Sequence, residues 1–360
     1  TEGGGQNPAQ KATTEVSAGG GSGTMTPDLF TGTMSYSIPI DVPPGRNGIA
    51  PDINLLYRSG NGNSWIGVGW ELEMGSIVRS LKNGVAYNGD DYQFRMAGAS
   101  LDLVYTGDDG FGNREYRANI EGAFMRFKKM DDWIVGPYWE VTDKKGTIYI
   151  FGRTASARQE NPLNSNSIFK WCLESVVDTN GNRMIFTYYE NPTDSPGQVY
   201  LDRIDYTSNG MTSPSNYVKF YRETRTDAAE MYTTNFKVKT AYRLNKIEVY
   251  ADNALQRFYS LSYKPYSDNT GRSLLTSVTR YGNDGISYLP ATTLDYYDYD
   301  MSSIYSNNQA ITGSNGMSGH SWSAEYRRLT TGDFNGDGKM DIILQGTNSD
   351  RDTLLLTGNG

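Results

Sequence analysis

The 360-residue sequence carries one cysteine and one histidine. A lone Cys172 excludes any intrachain disulfide. It sits in the apolar run Phe169-Lys-Trp-Cys-Leu-Glu-Ser-Val-Val177 and reads as a buried thiol rather than a nucleophile. The lone His320 excludes any site that needs two histidines, and its polar segment Gly319-His-Ser-Trp322 reads as surface or turn. No stretch of about 18 apolar residues occurs, so no helical membrane span is expected. Lysine and arginine (33) fall short of aspartate and glutamate (41), and no basic block reverses the net charge of −8. That balance argues against nucleic acid as the main partner. Helical periodicity is weak throughout; Thr226-Asp-Ala-Ala-Glu-Met231 is the one stretch read as a short helical turn.

Glycine (40) and tyrosine (27) are abundant. Tyrosine suits a pleated, half-buried surface and glycine supplies positive φ, so together they indicate many strands joined by tight turns. Residues 1–27 read as a flexible Gly/Ser-rich leader, too poor in apolar side chains to offset the entropy of ordering. Gly32-Thr-Met-Ser-Tyr-Ser-Ile-Pro-Ile40 alternates as a strand, with Pro39 requiring an edge or a bulge. In Trp65-Ile-Gly-Val-Gly-Trp-Glu-Leu72 the spaced glycines allow close approach of backbones or rings.

Turn signals then recur at Asn83-Gly84, Gly107-Asp-Asp-Gly110, Lys144-Lys-Gly146, Asn180-Gly-Asn182 and Asn209-Gly210, with short β-type runs between them. This is the pattern of antiparallel hairpins. A loose repeat runs through Trp171–Tyr188, Leu201–Tyr206 and Leu244–Tyr250: leucine, two residues, isoleucine or valine, then tyrosine, read as alternation on one face. The expected class is all-β, a hairpin-rich antiparallel sheet domain over residues 28–300. A linker at 301–321 and a further β segment at 322–360 follow.

The stretch Gly32–Ser80 carries a resemblance, through Tyr36-Ser-Ile-Pro-Ile40, Pro43-Pro-Gly45, Pro51-Asp-Ile-Asn-Leu-Leu-Tyr57 and Gly67-Val-Gly-Trp-Glu-Leu72. It resembles the opening of the SpvB-type N-terminal domain, found in SpvB-like bacterial virulence proteins and in the B components of insecticidal Tc toxins. The segment Asp178-Thr-Asn-Gly-Asn182 is similar to strand-turn units of that domain and of RHS/YD-repeat proteins. The resemblance implies a non-catalytic shell or scaffold segment at the N-terminal side of a larger secreted or surface-exposed bacterial toxin. Its partners would be the remainder of its own polypeptide or of a toxin complex: an RHS shell, a propeller and an effector. The ADP-ribosyltransferase of SpvB-like proteins lies in a separate C-terminal region, which nothing here matches.

Thr331-Gly-Asp-Phe-Asn-Gly-Asp-Gly-Lys-Met-Asp-Ile-Ile343 is the sharpest chemical motif. Oxygens of Asp333, Asn335 and Asp337, the carbonyl of Lys339 and Asp341 occupy alternate positions of a tight loop, as a hard cation such as Ca2+ requires. An EF-hand needs a bidentate glutamate at position twelve, where Leu344 stands, and the flanks read as strand. The motif resembles the FG-GAP/VCBS calcium loop of propeller blades, so 322–360 is expected to be the first, incomplete part of a β-propeller.

Carboxylate pairs such as Asp131-Asp132 and Glu71/Glu73 have the residue types of a glycosidase but read as solvated or turn groups. Trp133 and Trp139 read equally as a sugar platform or as aromatic core. The alternative function is therefore a calcium-dependent surface adhesin or carbohydrate-binding module. Asp337→Ala is expected to abolish calcium binding and loosen residues 330–345 while 30–300 stay folded. Unchanged calcium binding by calorimetry would contradict the ligand assignment.

Overall fold

The computed structural model describes residues 24–27, 34–210, 212–264, 271–296, 327–332, 341–346 and 353–356. The described elements are strands and two single 3-10 turns, which meets the all-β expectation. The chain divides after Tyr296 into two units.

The first unit opens with a small antiparallel sheet of β1 (Thr24–Pro27), β2 (Met34–Ile40), β3 (Ile53–Arg58) and, later in the chain, β6 (Trp70–Glu71). Between β3 and β6 lies a ribbon, β4 (Asn63–Ser64) and β5 (Gly67–Val68). Among the described residues, pairing starts at Thr24, within the segment expected as leader. β1 accompanies β2 only from Met34 to Ser37, so at Pro39 the strand has β3 as its one ladder neighbour. A residue without an N–H is tolerated there.

Next comes a run of antiparallel strands: β7 (Ser76–Arg79), β8 (Tyr92–Met96), β9 (Ala99–Asp108), β10 (Arg114–Ala118), β11 (Arg126–Asp132), β12 (Gly136–Thr142) and β13 (Ile148–Phe151). After β14 (Arg158–Asn161), the 14-residue β15 (Asn164–Val177) pairs with both β7 and β13 and closes an eight-strand barrel. A barrel of this size has an interior that side chains can just fill. Buried Tyr92, Tyr116, Trp139 and Trp171 fill it, with Tyr92 and Tyr116 4.9 and 5.0 Å from the Trp139 ring. Phe94 adds edge-on contacts to Phe127 and Phe151 at 5.1 and 5.9 Å.

Three of the hairpin turns share one construction: Asp109, Asp143 and Asp178 each stand four residues before an Asn or Thr that follows a glycine. One carboxylate oxygen accepts N–H bonds from residues two and four ahead, at 2.8–3.2 Å. The glycine holds positive φ, as this three-residue turn requires.

From β15 the sheet continues through β16 (Asn182–Asn191), β17 (Ser195–Asn209), β18 (Asn216–Met231), β19 (Val238–Ala251), β20 (Ala254–Tyr263), β21 (Leu275–Gly282) and β22 (Thr292–Thr293). The leucine repeat has a different basis from simple alternation. Glu174, Asp202 and Asn245, each directly after the leucine, are extra residues in their ladders. A bulge of one residue lets leucine and a residue three ahead face the same side. Hence Leu173/Val176, Leu201/Ile204 and Leu244/Ile247 are all buried. Leu275/Val278, with Thr276 as the bulge, is a fourth copy that the repeat reading missed.

The helical turn expected at 226–231 is instead strand, and residues 225–228 together oppose Ala241 in a wide bulge of β18. Turn-prone Asp227 is accommodated by the bulge rather than by a helix. β17 and β18 pair only over Arg203–Tyr206 and Asn216–Lys219. Beyond that the ladder between them stops, and the tip of β17 bonds to β19 through Gln198 and Thr240 at 2.8 Å. The β4–β5 ribbon attaches nearby: Leu244 N–H donates to the Trp65 carbonyl (2.8 Å) and Val68 N–H to the Ser273 carbonyl (3.0 Å).

The spaced glycines serve this attachment as expected. A Cβ on Gly67 would lie 2.4 Å from the Ser273 carbonyl oxygen, and one on Gly69 2.3 Å from the Tyr57 ring. The second unit contains β23 (Arg327–Gly332), β24 (Asp341–Gly346) and β25 (Thr353–Leu356) as an antiparallel three-stranded sheet.

Gly67→Ala is expected to cost about 3 kcal/mol or more, combining left-handed strain of about 1–2 kcal/mol with overlap on backbone. Gly84→Ala, at φ +82° with open space around it, is expected to cost only the strain, about 1–2 kcal/mol. Urea unfolding of the two variants checks this, and equal losses would contradict the close-approach argument.

Candidate functional site

A cleft of about 1190 Å³ lies between the small sheet and the barrel rim. Leu56, Met74, Met96, Leu173, Met184 and Phe186 give it apolar walls, and Arg58, Glu71, Glu73, Arg95, Asp143 and Asp178 give it charge. Much of that charge is engaged within the chain. Arg58 lies 3.3 Å from Glu71, Ser76 Oγ donates to Glu73 at 2.5 Å, and Asp143 and Asp178 cap their own turns. Burial raises the Glu71 carboxyl, and Arg58 offsets part of this. For Asp178, burial acts upward, but hydrogen bonds from Asn182, Asn47 and backbone N–H groups prevail and hold it at about 2. The structure therefore brings Glu71 and Glu73 to one cleft, with each carboxylate already bonded to a neighbour.

The other residues singled out in the sequence scatter. Cys172 is buried and its thiol is pushed up to about 11 by burial, which keeps it protonated and inert at neutral pH. Asp132 caps its turn by accepting from the Ile134 and Val135 N–H groups, and Asp131 lies 3.6 Å from Lys129. Trp139 is barrel core while Trp133 is exposed at a turn, so the two form no common platform. Asp333, Asn335, Asp337 and Lys339 fall between β23 and β24 in sequence, outside the described residues; His320, before β23, is also outside them. Asp341 is the first residue of β24, its backbone paired with Gly332. Strands thus flank the loop expected to hold Ca2+, whereas an EF-hand has helices there. Among the described residues, no three His, Cys, Asp or Glu side chains converge on a metal position.

A polar node that sequence reading missed joins the β4–β5 ribbon to the long sheet. The Arg225 side chain is fully buried in the wide bulge of β18. Its guanidinium donates to both oxygens of Asp227 (2.8 and 2.7 Å), to the Ser64 carbonyl and to Asn63 Oδ1 (2.5 Å each). Asp227 also accepts from Asn63 Nδ2, Ser273 N–H and Ser273 Oγ at 3.0, 2.6 and 2.7 Å. Burial acts to raise the Asp227 carboxyl, but the bonds from Arg225, Ser273 and Asn63 outweigh it and hold the group far below the carboxylate range. Such a paired, saturated charge is a structural clamp. Its only sequence signal is Arg-Thr-Asp227 in a stretch whose bulge cannot be read from spacing.

Against this geometry stand the comparisons with known proteins. The SpvB family profile, described as Salmonella virulence plasmid 65kDa B protein, matches residues 28–219, more than half of the chain. The chain belongs to the SpvB family. Mono(ADP-ribosyl)transferase SpvB of Salmonella choleraesuis (strain SC-B67) is 28% identical over 179 residues, covering 44% of this chain and 30% of the relative. The protein of the same name from Salmonella typhimurium is 27% identical with the same coverage. The match thus spans about 30% of the length of these curated relatives.

The N-terminal domain of effector protein SpvB from Salmonella typhimurium strain LT2 has a similar fold, with TM-score 0.59 and 20% identity over 68% of this chain and 98% of that one. TcdB2-TccC3 is similar over 91% of this chain and 19% of its own, with TM-score 0.69 and 21% identity. The Tc holotoxin pore of Photorhabdus luminescens gives 0.68 and 21%, over 92% and 18%. At these identities the structures attest the SpvB fold.

Asp227→Ala is expected to destabilise the protein by about 3–5 kcal/mol at pH 7 by stranding the buried Arg225 cation. A depressed carboxyl contributes stability above its unfolded value of about 4 and loses it as pH falls toward the folded value. The parent protein should therefore weaken below pH 4, and the variant should weaken less over that range. Parallel acid limbs in urea unfolding at pH 2–7 would contradict the clamp.

Proposed function

We propose that this SpvB-family chain is a non-catalytic shell segment of a larger secreted bacterial toxin, helping to enclose and deliver a toxic effector. The observation that carries this reading is the asymmetry of coverage: 91% of this chain corresponds in fold to 19% of TcdB2-TccC3. The barrel interior is filled by aromatic side chains and continues into a bulged sheet, an arrangement that suits a shell. The relatives are named for ADP-ribosyl transfer, whereas the fold shared here is that of the SpvB N-terminal domain. The cleft offers carboxylates that are already bonded to neighbours, and Cys172, which is not among its lining residues, is buried and protonated. In this reading residues 322–360 begin a propeller whose β23–β24 loop holds calcium through Asp333, Asn335, Asp337, Lys339 and Asp341. Its partners are the rest of its own polypeptide or of a toxin complex, outside the bacterial cell.

The test is the denatured mass of the native product from its source, together with NAD turnover by the 360-residue chain. A mass far above 40.0 kDa and no NAD consumption are expected. NAD-dependent transfer by this chain would overturn the non-catalytic assignment. A native product near 40 kDa that binds glycans saturably and needs calcium would favour the adhesin reading.

A further inference from the structure

The cleft between the small sheet and the barrel rim has a direction. Arg95 pairs with Ser76 and Ser76 with Cys172, so Arg95 stands level with Cys172 of β15. An apolar floor begins at the next residue. Leu173 N–H donates to the Gly75 carbonyl at 2.9 Å, beside Met74. Further along, Val176 is flanked across the ladders by Tyr149 of β13 and Met184 of β16. Leu173, Met74, Val176, Tyr149 and Met184 all line the cleft, and half-buried Leu56 and Met96 extend its apolar surface. From the level of Cys172 to Val177 the strand runs about 15 Å.

Charge distinguishes the two ends. Glu71, Glu73 and Arg95 all lie within electrostatic reach of Lys170, and Arg58 joins the same cluster through Glu71. Three cations there face two carboxylates. Both carboxylates are engaged, Glu71 beside Arg58 at 3.3 Å and Glu73 accepting from Ser76 Oγ at 2.5 Å. Arg95 is not. Among the described residues it joins no ion pair, and its guanidinium donates only to Gln93 Oε1 at 3.1 Å. Gln93 is itself held by Asp102 at 2.8 Å, so the bond orients Arg95 without neutralising it. At the far end Asp143 and Asp178 are saturated by their own turns and by Asn47, which leaves them no bond to offer a ligand. Their charge also opposes a second anionic group beside the exposed Lys145.

We infer that this cleft holds a single-headed amphipathic anion, a fatty carboxylate of about twelve carbons, matched to the strand length between the two ends. The carboxylate pairs with the Arg95 guanidinium, whose planar fork suits two parallel N–H···O bonds. The chain lies along Leu173 and Val176, between the Met74, Met96 and Met184 side chains. Unbranched thioethers adapt to an apolar ligand of variable shape. A mostly apolar site with a few fixed polar groups at one end is how small-molecule sites set orientation. The inference does not depend on the shell reading, since it concerns a site complete within this chain.

The test is calorimetric titration of the full 360-residue chain with dodecanoate below its micelle concentration. Butyrate supplies the same head without the chain, and dodecyltrimethylammonium the same chain with the opposite charge. Saturable one-site binding of dodecanoate is expected, with butyrate and the cationic surfactant each at least ten-fold weaker. Arg95→Gln should weaken dodecanoate at least ten-fold and remove its advantage over the cation, while Leu56→Asn should weaken both long-chain ligands. Both substitutions are at half-buried positions, and an unchanged melting temperature verifies that each variant is folded. No saturable dodecanoate binding by the parent chain, equal dodecanoate binding by Arg95→Gln, or a cation bound as tightly as the anion would overturn the inference. The native mass and NAD turnover that test the shell reading are unaffected by any of these results.

Discussion

The structure of the first unit depends on one shared strand. β15 holds the β14 hairpin along its first half, bonds β7 at Lys170–Cys172, and pairs with β13 and β16 along its last residues. Without it the barrel has two open edges and the long sheet has no anchor. Open edges are hydrogen-bonding templates that folded proteins avoid leaving bare. Trp171 places this strand in the barrel core while Val176 and Leu173 serve the same continuous core beyond it. Cys172 lies between them, buried and protonated, which explains why a conspicuous cysteine has no chemistry.

A second constraint follows from the first. A sheet built outward from a closed barrel twists away from it, and here the β17–β18 ladder is short. The ribbon of Asn63–Val68 meets the chain at this place, held by the Arg225–Asp227 clamp and by backbone bonds to Leu244 and Ser273. Gly67 and Gly69 are required because the ribbon runs against a carbonyl and a ring. The segment with the strongest family resemblance is therefore also the one that holds the parts of the fold together.

Much of this was legible in sequence. The glycine-containing turns at 107–110, 144–146, 180–182 and 209–210 all join adjacent strands, because the turn chemistry is local. Pro39 and the spaced glycines were legible for the same reason. What could not be read was non-local. Leu201 and Ile204 share a face only through the bulge at Asp202, which exists because of a neighbouring strand. Thr226–Met231 resembles a helical turn in isolation and is strand in its sheet. The closure of β13 on β15 leaves no local mark, and neither does the partnership of Arg225 with Asn63, 162 residues away.

The chain belongs to the SpvB family, and the account of its fold rests on β15. Native-state hydrogen exchange of the whole chain tests this most directly. The account predicts that the amides of Lys170–Val177 are among the slowest and open only with global unfolding, together with those of β7 and β13. Fast exchange along β15 while β8–β12 remain protected would contradict it, because the barrel would then persist without the strand said to close it.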